Sequence, residues 1–207
     1  MSARLQILLC LSVGAITSSI SPAQSIAIGA AGGVRATDDL TGEGATSESK
    51  RYVFGPQMDI GLPFGLGIEF DALYRREAYH SDFSNNNYNG TADEHANSWE
   101  FPLLLKYRLP APLVKPFLEG GYAPRVINGS IHSYANGLTV GTDYPVSHGV
   151  VIGAGAQFGI GRLRLSPEVR YTLWNNSPVL VVFADGPTFK SAENQVDILL
   201  GISWKLH

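Results

Sequence analysis

Cysteine is nearly missing from these 207 residues, where Cys10 stands alone. A disulfide scaffold is excluded, and so is a cysteine metal cluster. Charge is scarce as well. Charged residues make up 16 % of the chain, against roughly 25 % in a typical soluble domain. The net charge is −3 and there is no basic run, which argues against a nucleic-acid partner. Beyond the first residues no segment approaches 18 consecutive apolar positions, so membrane helices are excluded. What the chain has instead is glycine (23 copies), aromatics (10 %) and alternation.

The opening "MSARLQILLCLSVGAITSSISPAQS" has the parts of a secretory leader. Arg4 is the positive region, residues 7–16 are a short apolar core, and Ser21-Pro22-Ala23 fits a small-x-small cleavage site. Residues 1–23 are expected to be a signal peptide and residues 24–207 a single barrel domain. Cys10 lies inside the leader, preceded by Leu9 rather than the small residue a lipoprotein needs.

Eight segments of the remainder alternate with period two. They are 25–36, 51–62, 65–79, 98–109, 115–127, 148–160, 162–174 and 194–206. Each suits a tilted membrane strand of about 9–11 residues. The connections alternate long and short. Long polar stretches lie at 37–50, 80–97, 128–147 and 175–193, with short turns between the other pairs. The second long stretch, "HSDFSNNNYNGTADEHAN", is read as a loop of turn formers. That rhythm predicts an all-β protein, an eight-stranded antiparallel up-and-down transmembrane β-barrel with its long loops outside.

Successive side chains of a strand face opposite ways. "RLRLSPEVRYTLW" (162–174) therefore separates Leu163, Leu165, Val169, Tyr171 and Leu173 from Arg164, Glu168 and Arg170. The same split on the other strands collects a polar face. Its charged members are Arg35, Asp59, Glu69, Asp71, Arg75, Glu100, Lys106, Arg108, Glu119, Arg125, Arg164, Glu168, Arg170, Asp197 and Lys205. Charges of both signs in a lumen only just wide enough for side chains are expected to pair into a plug. The apolar face should meet lipid. Tyr52, Tyr74, Trp99, Tyr107, Tyr171, Trp174 and Trp204, near strand ends, are assigned to an interfacial girdle. A soluble periplasmic barrel or sandwich would show the same alternation with its faces exchanged. The aromatic strand ends and the leader favour the membrane. Pro56, Pro102, Pro116, Pro124 and Pro167 fall within proposed strands, where each removes a ladder donor.

"WEFPLLLKYRL", "KPFLEGGYAPR", "GVVIGAGAQFGIGRLRLSPEVRYTLW" and "NQVDILLGISW" resemble the bacterial outer-membrane protein beta-barrel domain family, the small OmpA-like and PorT-like eight-stranded barrels. The resemblance covers nearly all of the chain after the leader. It implies an outer-membrane, porin-like barrel and no single activity.

His80, His95, His132, His148 and His207 show neither helical metal spacing nor a cysteine partner. Ser147-His148 and His80-Ser81 are the candidate pairs for a lipid-modifying enzyme, but no GxSxG elbow accompanies them. Asp38, Asp39, Glu43 and Glu48 in the first long loop read as solvated acids, with a divalent cation or lipopolysaccharide as the sharper alternative. No catalytic, cofactor or metal residue is assigned. The expected partners are outer-membrane lipid and, during biogenesis, periplasmic chaperones and the barrel-assembly machinery. The extracellular ligand stays open. The function expected is structural or surface contact through four long loops; the alternatives are a narrow ion or small-solute channel and a lipid-modifying enzyme.

Overall fold

The computed structural model describes residues 25–37, 40–41, 45–47, 49–85, 88–134, 146–175, 180–182, 188–191 and 194–206. The expected leader, the four loop acids and His207 lie outside them.

Eight strands form the wall. They are β1 (Ser25–Arg35), β2 (Tyr52–Gly61), β3 (Leu66–Asp71 continuing as Leu73–Asn85) and β4 (Tyr88–Glu100 continuing as Leu103–Arg108). They continue as β5 (Val114–Tyr134), β6 (Ser147–Ile160), β7 (Leu163–Trp174) and β8 (Asn194–Lys205). Each pairs antiparallel with its chain neighbour, and β8 returns to β1, so the sheet closes. The register can be followed around the wall. Arg35 pairs with Asp197, then Arg170, Gly153, Glu119, Lys106, Gly67 and Gly61 follow, and the path regains β1 at Ser25. One circuit thus descends β1 from Arg35 to Ser25, ten residues. A stagger of that size requires strongly tilted strands.

The prolines lie inside the strands without disturbing register. Phe70 pairs with Leu103 and Leu73 with Glu100, on either side of the interval that holds Pro102. At that level the N–H groups of Asp71, Ala72 and Phe101 donate to the carbonyls of Pro102, Pro56 and Pro124 at 3.1, 3.0 and 2.9 Å. Each proline lacks a donor but keeps a working acceptor. Pro167 stays paired with Leu200. The β6–β7 pairing lapses beside it, after Gly155–Glu168, and resumes in the same register at Phe158–Leu165.

The three short turns gather at one end. Pro63–Gly65 forms a 3₁₀ turn with Phe64 and Gly65 at positive φ, and Gly161 at φ 63 opens the turn between β6 and β7. A β-carbon is strained in that region of backbone space, which explains the glycines. The other end differs from expectation. Residues 80–97 are not an open loop, because β3 runs to Asn85 and β4 starts at Tyr88 in continuous register. β5 likewise runs to Tyr134. Period-two alternation signals two unlike faces, and a hairpin standing clear of the membrane has no need of it. Short strands also form within two other connections. Ala45–Ser47 pairs with β3, and Leu180–Val182, Thr188–Ser191 and Leu40–Thr41 make a small separate sheet.

The faces sort as the alternation predicts. Ile28, Phe54, Ile68, Leu105, Ile152 and Ile202 point outward, with Ile152 59 % exposed, while the charged residues between them are buried. Nothing inside the wall would hold so many outward leucines and isoleucines away from water. The barrel is therefore dressed for hydrocarbon.

Leu200 lies on the outer wall midway between the levels of Val196 and Trp204. Leu200→Arg should destabilise the barrel in vesicles by about 2–4 kcal/mol. Thr172→Ser, on the inner face, should change little. Urea unfolding of the vesicle-inserted protein measures both.

Candidate functional site

The interior carries the polar chemistry, in three tiers along the axis. The middle tier is a knot of two cations and four carboxylates. Lys106 reaches inward from β4 and places Nζ 2.6 Å from Glu69 Oε2, 3.1 Å from Glu119 Oε2 and 3.2 Å from Glu168 Oε2. Arg170 reaches inward from β7. Its Nη1 donates to Asp71 Oδ2 at 2.6 Å, its Nη2 to Glu69 Oε1 at 2.5 Å and its Nε to Glu119 Oε1 at 2.9 Å, and it also pairs with Glu168. The guanidinium fork can address several carboxylates at once because its donors are fixed in a plane. Lys106 also lies over the Phe117 ring, 4.2 Å from its centroid. These groups come from β3, β4, β5 and β7. The knot therefore ties walls that are not neighbours.

Glycine makes room for the charged side chains of the lumen. A β-carbon on Gly153 would stand 2.5 Å from Glu119 Oε1, and one on Gly67 would collide with the Arg108 guanidinium. Glu69, Glu119 and Glu168 also converge within 4.8 Å, the one carboxylate group among the described residues that could surround a metal ion. The Lys106 ammonium already stands at their focus.

The tier toward the long loops joins Arg35 to Glu100 at 2.9 Å and to Asp197 at 3.1 Å. Gln195 bonds Asp197 and approaches Glu100. Arg125 stands at 4.0 Å from Glu100 and stacks 4.0 Å above the Trp174 ring. Arg75 and Glu77 are 3.9 Å apart at the same end. The tier toward the short turns is smaller. There Asp59 pairs with Arg108, and Arg164 Nη1 is 3.5 Å from Asp59 Oδ1. Between the upper two tiers lie inward apolar side chains, in two clusters. One holds Ala31, Val53, Leu73 and Leu199, the other Leu104, Ala123, Val151 and Trp174.

Of the residues assigned to the lumen, the three tiers bring together all but Lys205, which shares the inward parity of Ser203 at the short-turn end and is half-buried. Trp174 corrects the girdle. It is 3 % exposed, faces inward and donates from Nε1 to Gln195 Oε1 at 2.8 Å. The reason is parity: Trp174 shares the side of Arg170 and Thr172, and nearness to a strand end does not alter that. Tyr52, Tyr107, Trp99, Tyr171 and Trp204 face outward, and so does the partly covered Tyr74. An arc of rings runs along the loop-side rim. Tyr52–Phe54, Phe54–Tyr74, Tyr74–Trp99 and Trp99–Phe101 have centroids 5.9, 5.6, 5.2 and 6.4 Å apart. Alternation puts Gln57 and Gln195 on the polar face, and both are buried there; Glu77 and most of the apolar inner residues were not singled out, although strict two-residue counting reaches them.

Ser147 and His148 do not form a catalytic pair. Ser147 is buried inside, whereas His148 is on the outer wall, stacked on Tyr122 and hydrogen-bonded to its hydroxyl. Consecutive strand residues cannot share a face. The side chains of His80, Ser81, His95 and His132 lie outside the described residues.

No family model matches the chain, and no curated protein matches it by sequence. Among solved structures it is similar to the outer membrane protein OprG from Pseudomonas aeruginosa. The two are 12 % identical, over 89 % of this chain and 95 % of that one, with a TM-score of 0.59. It is also similar to a major outer membrane protein from Thermus thermophilus, 13 % identical over 89 % and 100 % of the two chains, with a TM-score of 0.56. At such identities the likeness is one of fold. A closed sheet with an oily outside and ion pairs inside is a membrane-spanning β-barrel. More narrowly, its fold is that of the small eight-stranded outer-membrane barrels, as the sequence resemblance implies.

Removing the ammonium leaves three buried carboxylates facing one another. Lys106→Met should cost about 3–5 kcal/mol in the same unfolding measurement. Adding Glu168→Gln should recover part of the loss, since it removes one of the stranded charges.

Proposed function

We propose that the protein is a closed barrel of the bacterial outer membrane whose work lies at its long-loop end. The single observation that carries this reading is the Lys106–Arg170 knot. Its cations, from β4 and β7, bind carboxylates from β3, β5 and β7 across the lumen. Moving a solute past it would mean separating several buried pairs at once, at a cost of several kcal/mol each. The apolar clusters above the knot add a dry layer. On this reading the interior is a strut and not a passage. It holds up the long β3–β4 hairpin, the extended β5 and the small sheet of the outer connections. These are the parts that reach the surroundings. They suit surface contact and envelope integrity, with lipid as the constant partner and the chaperones and assembly machinery as transient ones.

Three measurements test this reading. Purified protein in planar bilayers should give no steady conductance steps; reproducible steps would make the protein a channel. A peptide tag inserted between Asn85 and Tyr88 should be labelled on intact cells, because a hairpin tip tolerates insertion. Labelling only after the cells are opened would reverse the orientation. Recovery of the protein in a detergent-free periplasmic fraction would remove the barrel from the membrane altogether.

A further inference from the structure

The mouth at the short-turn end holds a cavity of about 550 Å³ that the strut does not use. Its lining has two chemistries. Ser25, Arg108, Gln157, Arg164 and Lys115 face it with polar groups, whereas Phe64, Leu66 and Tyr107 supply rings and methyls. Leu66 and Tyr107 belong to the outer wall, and Arg108 and Arg164 to the lumen. The cavity therefore starts inside the mouth and passes over the rim at the Pro63–Gly65 turn onto the lipid-facing surface.

Charge is unbalanced here, unlike in the loop-side tier. Among the described residues Asp59 is the only acid in contact with these cations, and it is shared by Arg108 and Arg164. Arg164 holds it loosely, at 3.5 Å, and gives Nη2 to Ser25 Oγ at 3.1 Å. Lys115 forms no ion pair among the described residues, and neither does the inward Lys205. Surplus cations in a partly enclosed space favour an anion. The level is fixed by outward rings at this end, Tyr107 and Trp204, which belong at headgroup depth.

We infer that this mouth holds the phosphate of a membrane phospholipid, with the acyl chains lying over Leu66 and Tyr107 on the outer wall. Arg164 and Lys115 are the groups free enough to meet the phosphate, and Gln157 and Ser25 are polar neighbours. A soluble phosphate would use the same cations but none of the apolar rim.

The test uses the full barrel, ¹⁵N-labelled, in a maltoside detergent that carries no phosphate. Dihexanoyl-phosphatidylglycerol and inorganic phosphate are titrated separately, and the amide shifts of Gly65, Gly67 and Lys115 are followed. The short-chain lipid should shift them saturably and at least tenfold more tightly than phosphate. Lys115→Glu, at an exposed position, should weaken binding at least threefold, and Lys115→Glu with Arg164→Gln at least tenfold, while heat-modifiable mobility on gels shows the barrel folded. Equal affinity for inorganic phosphate overturns the lipid in favour of a free-anion site. No saturable shift, or binding indifferent to the double substitution, overturns the site itself.

Discussion

Hydrocarbon offers no hydrogen-bond partners, so every backbone N–H and C=O of a membrane sheet must be paired within the sheet. Closure of β8 onto β1 meets that demand, and much else follows from it. The ten-residue stagger fixes which side chains meet across the lumen. It also makes the prolines intelligible. A proline subtracts one donor, and in lipid the acceptor left over is expensive. The chain places Pro56, Pro102 and Pro124 at one level and lets each carbonyl accept from a neighbouring strand. The defects are pooled there, and the register passes through unaltered.

The lumen solves a different problem. Eight strands enclose too little space for bulk water, yet every second residue must point inward. Glycines at 67, 149, 153 and 201 give up volume, which Arg108, the Thr172–Trp174 pair, Glu119 and Gln57 fill in turn. Pairing is then compulsory, because a lone buried charge is far costlier than a satisfied one. Arg170 shows how far this goes. Its fork reaches Glu69, Asp71, Glu119 and Glu168, so one side chain pairs with groups from two other strands and its own.

Much of this was legible in the sequence, wherever the two faces of a strand meet different surroundings. Period-two counting locates all eight strands and puts Arg35, Lys106, Arg170 and their partners on one side. The same counting would have put Trp174 with Arg170; position near a strand end was the weaker guide. What alternation cannot show is anything with like surroundings on both faces. Residues 80–97 read as loop because no greasy side marks them, yet 80–85 pair with 88–93 and 88–97 continue as strand. Nor can it foretell which carboxylate a given arginine reaches. That depends on the stagger, a property of the closed circuit and of no single strand.

Buried ion pairs are poor sources of stability, since well-packed apolar residues would often serve as well. Their presence here calls for a reason other than strength. A strand that slips by one residue exchanges its faces completely. If the inside of this barrel were as apolar as the outside, a slipped or inverted strand would cost little, and many closures would compete. With Lys106 and Arg108 on β4, or Arg164, Glu168 and Arg170 on β7, a slip turns two or three charges into the bilayer. Each basic residue brings a penalty of about 2–4 kcal/mol at the midplane. The knot is thus as much a statement about the wrong structures as about the right one. It makes every face-exchanging register prohibitive, and the closed wall with its charges inside is what remains.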